Sequence, residues 1–208
     1  MADWYRRETW SKEDEIEFFD KLKRAQKHNK SQYLRIQALS LYNTNDRKLL
    51  RIAEFLACKV ITDYPDAMID MASTHQLLGN IYEELGETDN AIMHYRKALE
   101  TEKNHPSVST DAYLDYAEYI IRIWRTDLFE EVEKILFEKV SKAYFPIQKY
   151  KLCIILAIIS RHKKDEVNAK KYIELARENA GAQTSGLRYH KNLGLVKETD
   201  RWLEKILK

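Results

Sequence analysis

Apolar residues recur at helical spacing along almost the whole chain. The pattern appears in Leu34-x3-Ala38-x2-Leu41, in the run holding Leu49, Leu50, Ala53, Leu56, Ala57 and Val60, and in Val132, Ile135, Leu136 and Val140. Positions three and four apart share one helix face, so each run predicts an amphipathic helix with one buried stripe. Residues 11–27 predict a helix of this kind, with Ile16, Phe19, Leu22 and Lys23 as an apolar stripe with a charged border. Ser11 and Asp14 stand at capping-box spacing at its start. Near the other end Gly181, Gly186 and Gly194 break the chain. A last helix follows from about residue 198, with Trp202, Leu203 and Ile206 on one face.

The helices are punctuated at a regular interval. Pro65, Pro106 and Pro146 lie 41 and 40 residues apart, and proline stops helices because it lacks an N–H and clashes with the preceding turn. A second signal has the same period. Small residues fall in mid-helix at Ala38, Gly79, Ala117 and Ala157, spaced 41, 38 and 40. A period of this size marks stacked supersecondary units.

The middle of the chain carries the most specific pattern. His75-x2-Leu78-Gly79-x2-Tyr82 is followed by Gly86 and then by Ala91-x3-Tyr95-x2-Ala98. Gly79 and Ala91 are small enough to let two antiparallel helices approach, with Leu78, Tyr82 and Tyr95 filling the space around them. Gly86 supplies a positive φ at the end of the first helix, and Thr88 or Asp89 caps the second. This pattern resembles the tetratricopeptide repeat, with His75 in the Trp slot and Tyr95 in the Phe slot. Weaker matches flank it. Tyr113-x2-Tyr116-Ala117-x2-Ile120 precedes a helix over 127–143, and Leu156-Ala157 precedes Ala169-x3-Ile173-x2-Ala176. The resemblance covers about 31–180. Its period is near 40 rather than the family's 34, so several helices carry an extra turn, and HEAT-like repeats are the structural alternative. It implies an all-α, right-handed α-solenoid of about four stacked antiparallel hairpins with terminal capping helices. The expected divisions are an N-terminal aromatic segment and capping helix at 1–30, repeats at 31–180 and a C-terminal capping segment at 181–208.

Composition narrows the function. The 208 residues are 44% apolar and 33% charged, enough for a packed core and too apolar for disorder. Thirty-five basic residues face 33 acidic ones, and that balance argues against a nucleic-acid binder. The longest apolar run, 152–159, falls far short of the roughly 20 residues of a membrane span. The first residues read as neither a secretion signal nor a lipidation site. Cys58 and Cys153 sit in apolar helical patterns and read as free thiols in a reducing, cytoplasmic setting.

Candidate chemistry is sparse. There is no Gly-rich phosphate loop and no nucleophile elbow. None of the six histidines pairs with another at i, i+4. The expectation is therefore no enzyme, no cofactor and no metal, with His75 as a packing residue and Glu83-Glu84 and Glu130-Glu131 as solvated faces. Tyr113 and Tyr116 read as core, while Tyr119 points to another face and is expected to be exposed. Trp4, Tyr5 and Trp10 read as a lid folded back on the first helix, with a docking patch as the alternative.

The resemblance implies a concave surface, lined by first helices, that binds an extended peptide or a helix. Carried over by position, its residues are Gln32 and Arg35; Gln76, Asn80, Glu83 and Glu84; Asp111, Asp115, Glu118 and Arg122; and Lys151, Ile154, Ile158 and Arg161. In that register the groove is acidic at its centre and apolar and basic at its far end, which favours a partner with a basic segment. Gln76 stands where chaperone-tail binders of the family commonly have Lys, and Asp111 with Asp115 opposes an acidic tail. The expected function is a non-enzymatic protein-interaction module. The alternatives are an inhibitor or immunity-type protein with one effector or toxin, an RNA-binding repeat reading bases through exposed tyrosines, and an enzyme on a helical scaffold. Trp202 or the N-terminal tryptophans offer a homodimer contact.

Overall fold

The computed structural model describes residues 3–206, with the side chains of 199 and 200 outside that description. Positions 1, 2, 207 and 208, the extremities of the expected end segments, also lie outside it. Among the described residues the chain is all-helical, with nine α-helices and no strand. They are α1 (Lys12–Arg24), α2 (Lys30–Tyr42), α3 (Arg47–Asp63), α4 (Met68–Leu85), α5 (Thr88–Asn104), α6 (Ala112–Arg122), α7 (Phe129–Lys139), α8 (Pro146–His162) and α9 (Glu166–Ala180). A 3₁₀ segment, Glu198–Lys205, closes the chain. The helices pair as hairpins, α2 with α3, α4 with α5 and α8 with α9. The Tyr116 hydroxyl donates to Glu131 (3.0 Å) to tie α6 to α7. Such hairpins are the building unit of an α-solenoid. The chain divides into two compact units, 1–112 and 113–208.

In the first unit the α4/α5 hairpin is the tightest join. Ala91, Tyr95 and Ala98 are all fully buried on one stripe of α5. A Cβ built on Gly79 would stand 2.6 Å from Tyr95 Cε1, so the tyrosine ring lies directly on bare backbone. Hydrophobic burial of such a side chain contributes about 1.5–3 kcal/mol. The first hairpin stacks on the second through α2·α4 and α3·α4 packing. A buried polar link reinforces it. Asp70, in the first turn of α4, accepts from Ser31 Oγ (2.7 Å) and from Arg35 Nε (3.0 Å).

The repeat is written most regularly in the turns. Each first helix is followed, within three residues of its end, by a residue with positive φ: Asn45 (56°), Gly86 (77°), Trp124 (54°) and Lys164 (62°). Each lies seven positions after the small residue of its hairpin. In three of them the next N–H reaches back five residues, Glu87 to Tyr82, Arg125 to Ile120 and Asp165 to Ser160, at 2.8, 3.1 and 2.9 Å. This 6→1 bond satisfies an orphan carbonyl and turns the chain for the second helix.

The ends fold back. Ser11 and Asp14 make the expected capping box, with bonds of 3.1 and 2.9 Å. The buried stripe of α1 is Phe18 and Leu22, whereas Ile16 is 63% exposed. The expected stripe through Ile16 and Phe19 is thus rotated, because the tryptophans claim Phe18. Trp4 and Trp10 both pack on its ring at 5.3 Å, and Tyr5 stacks on Tyr33 at 4.5 Å. The aromatic segment is a lid. The fully buried amide of Gln37 fixes it by accepting from Arg7 N–H (3.0 Å) and donating to Arg7 C=O (2.8 Å).

Other local expectations shift. The N-cap of α5 is Glu87, with Thr88 already inside the helix and no side-chain cap bond. The expected helix over 127–143 is α7 between two 3₁₀ turns, with Val140 exposed. Cys58 is half-buried and Cys153 buried, and both are free thiols. Burial pushes the Cys153 thiol up to about 11.

Two stability changes follow. Gly79→Ala forces the Tyr95 ring off its seat and is expected to cost about 1–3 kcal/mol despite alanine's better helix propensity. Lys164→Gly relieves a left-handed side-chain conformation and should stabilise by about 0.5–1 kcal/mol. Urea unfolding midpoints check both.

Candidate functional site

The face to which the sequence points is the one formed by first helices. In the first unit these are α2 and α4. Arg35 and Leu39, one turn apart on α2, face Ser73, Gln76, Leu77 and Asn80, which follow helical spacing on α4. Together they line an open recess of about 220 Å³. The structure thus brings Arg35, Gln76 and Asn80 together. Arg35 is steadied by its bond to Asp70 rather than left as a bare charge. The Tyr95 hydroxyl lies 2.8 Å from Asn80 Oδ1 and 3.0 Å from Glu83 Oε2, and donates its single proton between them. This bond uses the oxygen of Asn80, so the donor end of the amide is turned away from Tyr95. Glu83 is half-buried one turn further along α4, and Glu84 and Gln32 are exposed. Asp111 is exposed just before α6.

The second unit presents a different surface. Its first helices are α6 and α8. Glu118, expected to be an exposed acidic groove residue, is buried. Its carboxylate accepts from Lys151 Nζ (2.7 Å) and from the Trp202 indole (3.1 Å). Both donors neutralise or occupy it, so the expected acidic centre does not include Glu118. Ile154 and Ile158 are likewise buried, since every residue from 152 to 160 is buried. The α7, α9 and 3₁₀ segments pack around α8 and account for this. Tyr119 is 4% exposed rather than open to solvent, which removes the tyrosine expected to stack RNA bases. Asp115 is half-buried, and Arg122 and Arg161 are exposed. The Arg122 guanidinium lies over the Trp202 ring, 5.1 Å from its centroid.

Two features carry no signal in the sequence. A wider depression of about 470 Å³ lies beside the 63–67 turn, between Lys27 and His28 on one side and Asp63 and Asp66 on the other. The second feature is a pair of buried imidazoles. His75 and His94 face each other across the α4/α5 hairpin with Nδ1 to Nδ1 at 3.0 Å, and Tyr82 stacks on His94. One Nδ1 donates and the other accepts, which two neutral rings do in opposite tautomers. Burial pulls His75 down to about 4, helped by repulsion from His94 once that ring is protonated and by Lys97. Burial also pulls His94 down to about 4, again helped by Lys97. Only the hairpin register reveals that residues 19 apart meet. Among the described residues no cluster of three His, Cys, Asp or Glu could hold a metal ion. No helix there is long and apolar enough to cross a membrane.

Residues 72–105, which span the α4/α5 hairpin, match the family model for the tetratricopeptide repeat. This hairpin is similar to a tetratricopeptide repeat. No curated protein and no solved structure matches the chain. The matched repeat contains Gln76, Asn80 and Glu83, together with both imidazoles.

The imidazole pair gives this repeat a definite pH response. Free histidine in the unfolded chain titrates near 6.5, while the folded pair resists protonation to about 4. Between those values the unfolded state binds more protons, so stability rises with pH and is lost as pH falls through that window. Each imidazole contributes a slope of at most about 1.4 kcal/mol per pH unit. Urea midpoints measured from pH 7 to pH 4.5 are expected to fall. In His75→Phe/His94→Leu the fall should be visibly shallower.

Proposed function

We propose that this protein is non-enzymatic and binds an extended segment of a protein partner on the α2/α4 face. Its tetratricopeptide repeat supports a protein–protein interaction module. The observation that carries this reading is the open recess that gathers Arg35, Gln76 and Asn80. Its volume lies below the roughly 300–1,000 Å³ of small-molecule pockets, so it suits one side chain of a longer ligand. Carboxamides beside it are the groups that hold a peptide main chain, as Gln37 holds Arg7 within this protein. Glu84, exposed at the far end of α4, favours a basic residue in the partner. Free thiols at Cys58 and Cys153 fit a reducing, cytoplasmic setting.

The test compares three baits in native extract, read by mass spectrometry. These are wild type, Gln76→Ala/Asn80→Ala, and Lys170→Ala on the exposed side of α9. A partner held by wild type and Lys170→Ala is expected to drop about tenfold with the double variant, equivalent to about 1.4 kcal/mol. A partner retained by the double variant would move binding off this face.

A further inference from the structure

The C-terminal segment bridges two first helices, α6 and α8. The chain returns at Gly194, whose C=O accepts from Ile147 N–H at 2.8 Å. There φ is +68°, and an added Cβ would stand 2.6 Å from Phe145 Cβ, so only glycine fits. Leu203 is then completely buried. Trp202 donates to Glu118 on α6 and lies under the Arg122 guanidinium. Glu204 accepts from the Tyr150 hydroxyl on α8 at 3.1 Å. Lys151 completes the arrangement by holding the other oxygen of Glu118.

These contacts form a recognition set. Glu118 reads an indole N–H, Arg122 reads the ring face, and Tyr150 reads a carboxylate two positions further on. The reading segment itself is weakly built. It is a 3₁₀ turn of eight residues, a geometry with poorer hydrogen bonds than an α-helix. Leu203 is its one fully buried apolar anchor among the described side chains.

We propose that the α6–α8 face is a docking surface for an aromatic–acidic protein segment, with an indole and a carboxylate two residues apart. Residues 194–206 are its resident occupant, and a partner of that chemistry displaces them. This rests on reading first-helix faces as interaction surfaces. The resident segment competes at the high local concentration of a tethered ligand, on the order of millimolar, which keeps the face closed to weak binders.

The probe is a fluorescein-labelled peptide of residues 194–206, titrated into the full chain and followed by fluorescence anisotropy. Leu203→Ala, which removes the buried anchor, should bind the peptide at least tenfold more tightly than wild type. A peptide with Trp202→Ala should not bind. Gln76→Ala/Asn80→Ala placed on the Leu203→Ala background should leave peptide affinity unchanged, so this proposal and the α2/α4 reading fail separately. Equal binding to wild type and a folded Leu203→Ala, or binding to neither, overturns the proposal. Hydrogen exchange of the wild type decides the matter if that variant does not fold. Amides of 194–206 are expected to exchange at least tenfold faster than those of α8. Exchange as slow as the α8 core would make the segment a permanent part of the fold and sink the idea.

Discussion

The seat of Tyr95 on the bare backbone of Gly79 is the contact on which the matched repeat depends. It sets the separation of α4 and α5, because no side chain can intervene between ring and helix. It also sets their rotation. With Leu78 and Tyr82 turned inward beside Tyr95, His75 is carried inward by the same helical period and meets His94. Gln76 and Asn80 are turned to the open side, where α2 supplies Arg35. The tyrosine hydroxyl extends this control by reaching Asn80 and Glu83. One aromatic residue thereby fixes both the core of the hairpin and the polar face of the recess.

Both ends of the chain are bound by the molecule as if they were ligands. At the N-terminus the Gln37 amide holds the main chain of Arg7, and the aromatic side chains of 4, 5 and 10 cover Phe18 and Tyr33. At the C-terminus Glu118 and Tyr150 hold an indole and a carboxylate. The two modes differ in what they read. The first recognises peptide groups common to any sequence, and the second recognises side chains. Buried polar groups need partners in either case, and here the chain itself provides them.

Local architecture was legible in the residues. The Leu78-Gly79-x2-Tyr82 pattern, the Ser11/Asp14 box and the small mid-helix positions all act over one or two helical turns, and the structure uses them as such. Pro65 and Pro106 follow helix ends as expected, whereas Pro146 opens α8. The left-handed turns at Trp124 and Lys164 were not legible, because neither residue prefers positive φ. The recess was legible in part, since Gln76 and Asn80 follow directly from the helical period of α4. The second unit was not. Glu118 and Trp202 are 84 positions apart, and Glu118 has the same local surroundings as an exposed helical acid. Ile154 and Ile158 sit on a groove-side stripe, yet both are buried within the packed second unit. Tertiary closure of this kind leaves no periodic trace.

Cys153 lies inside that closed part of the molecule. Its thiol is buried in α8 and is held in the protonated, unreactive form at neutral pH. Alkylating reagents and mild oxidants therefore reach it only when the second unit opens. The rate at which that sulfur reacts becomes a clock for such openings, written into the native chain without any added label.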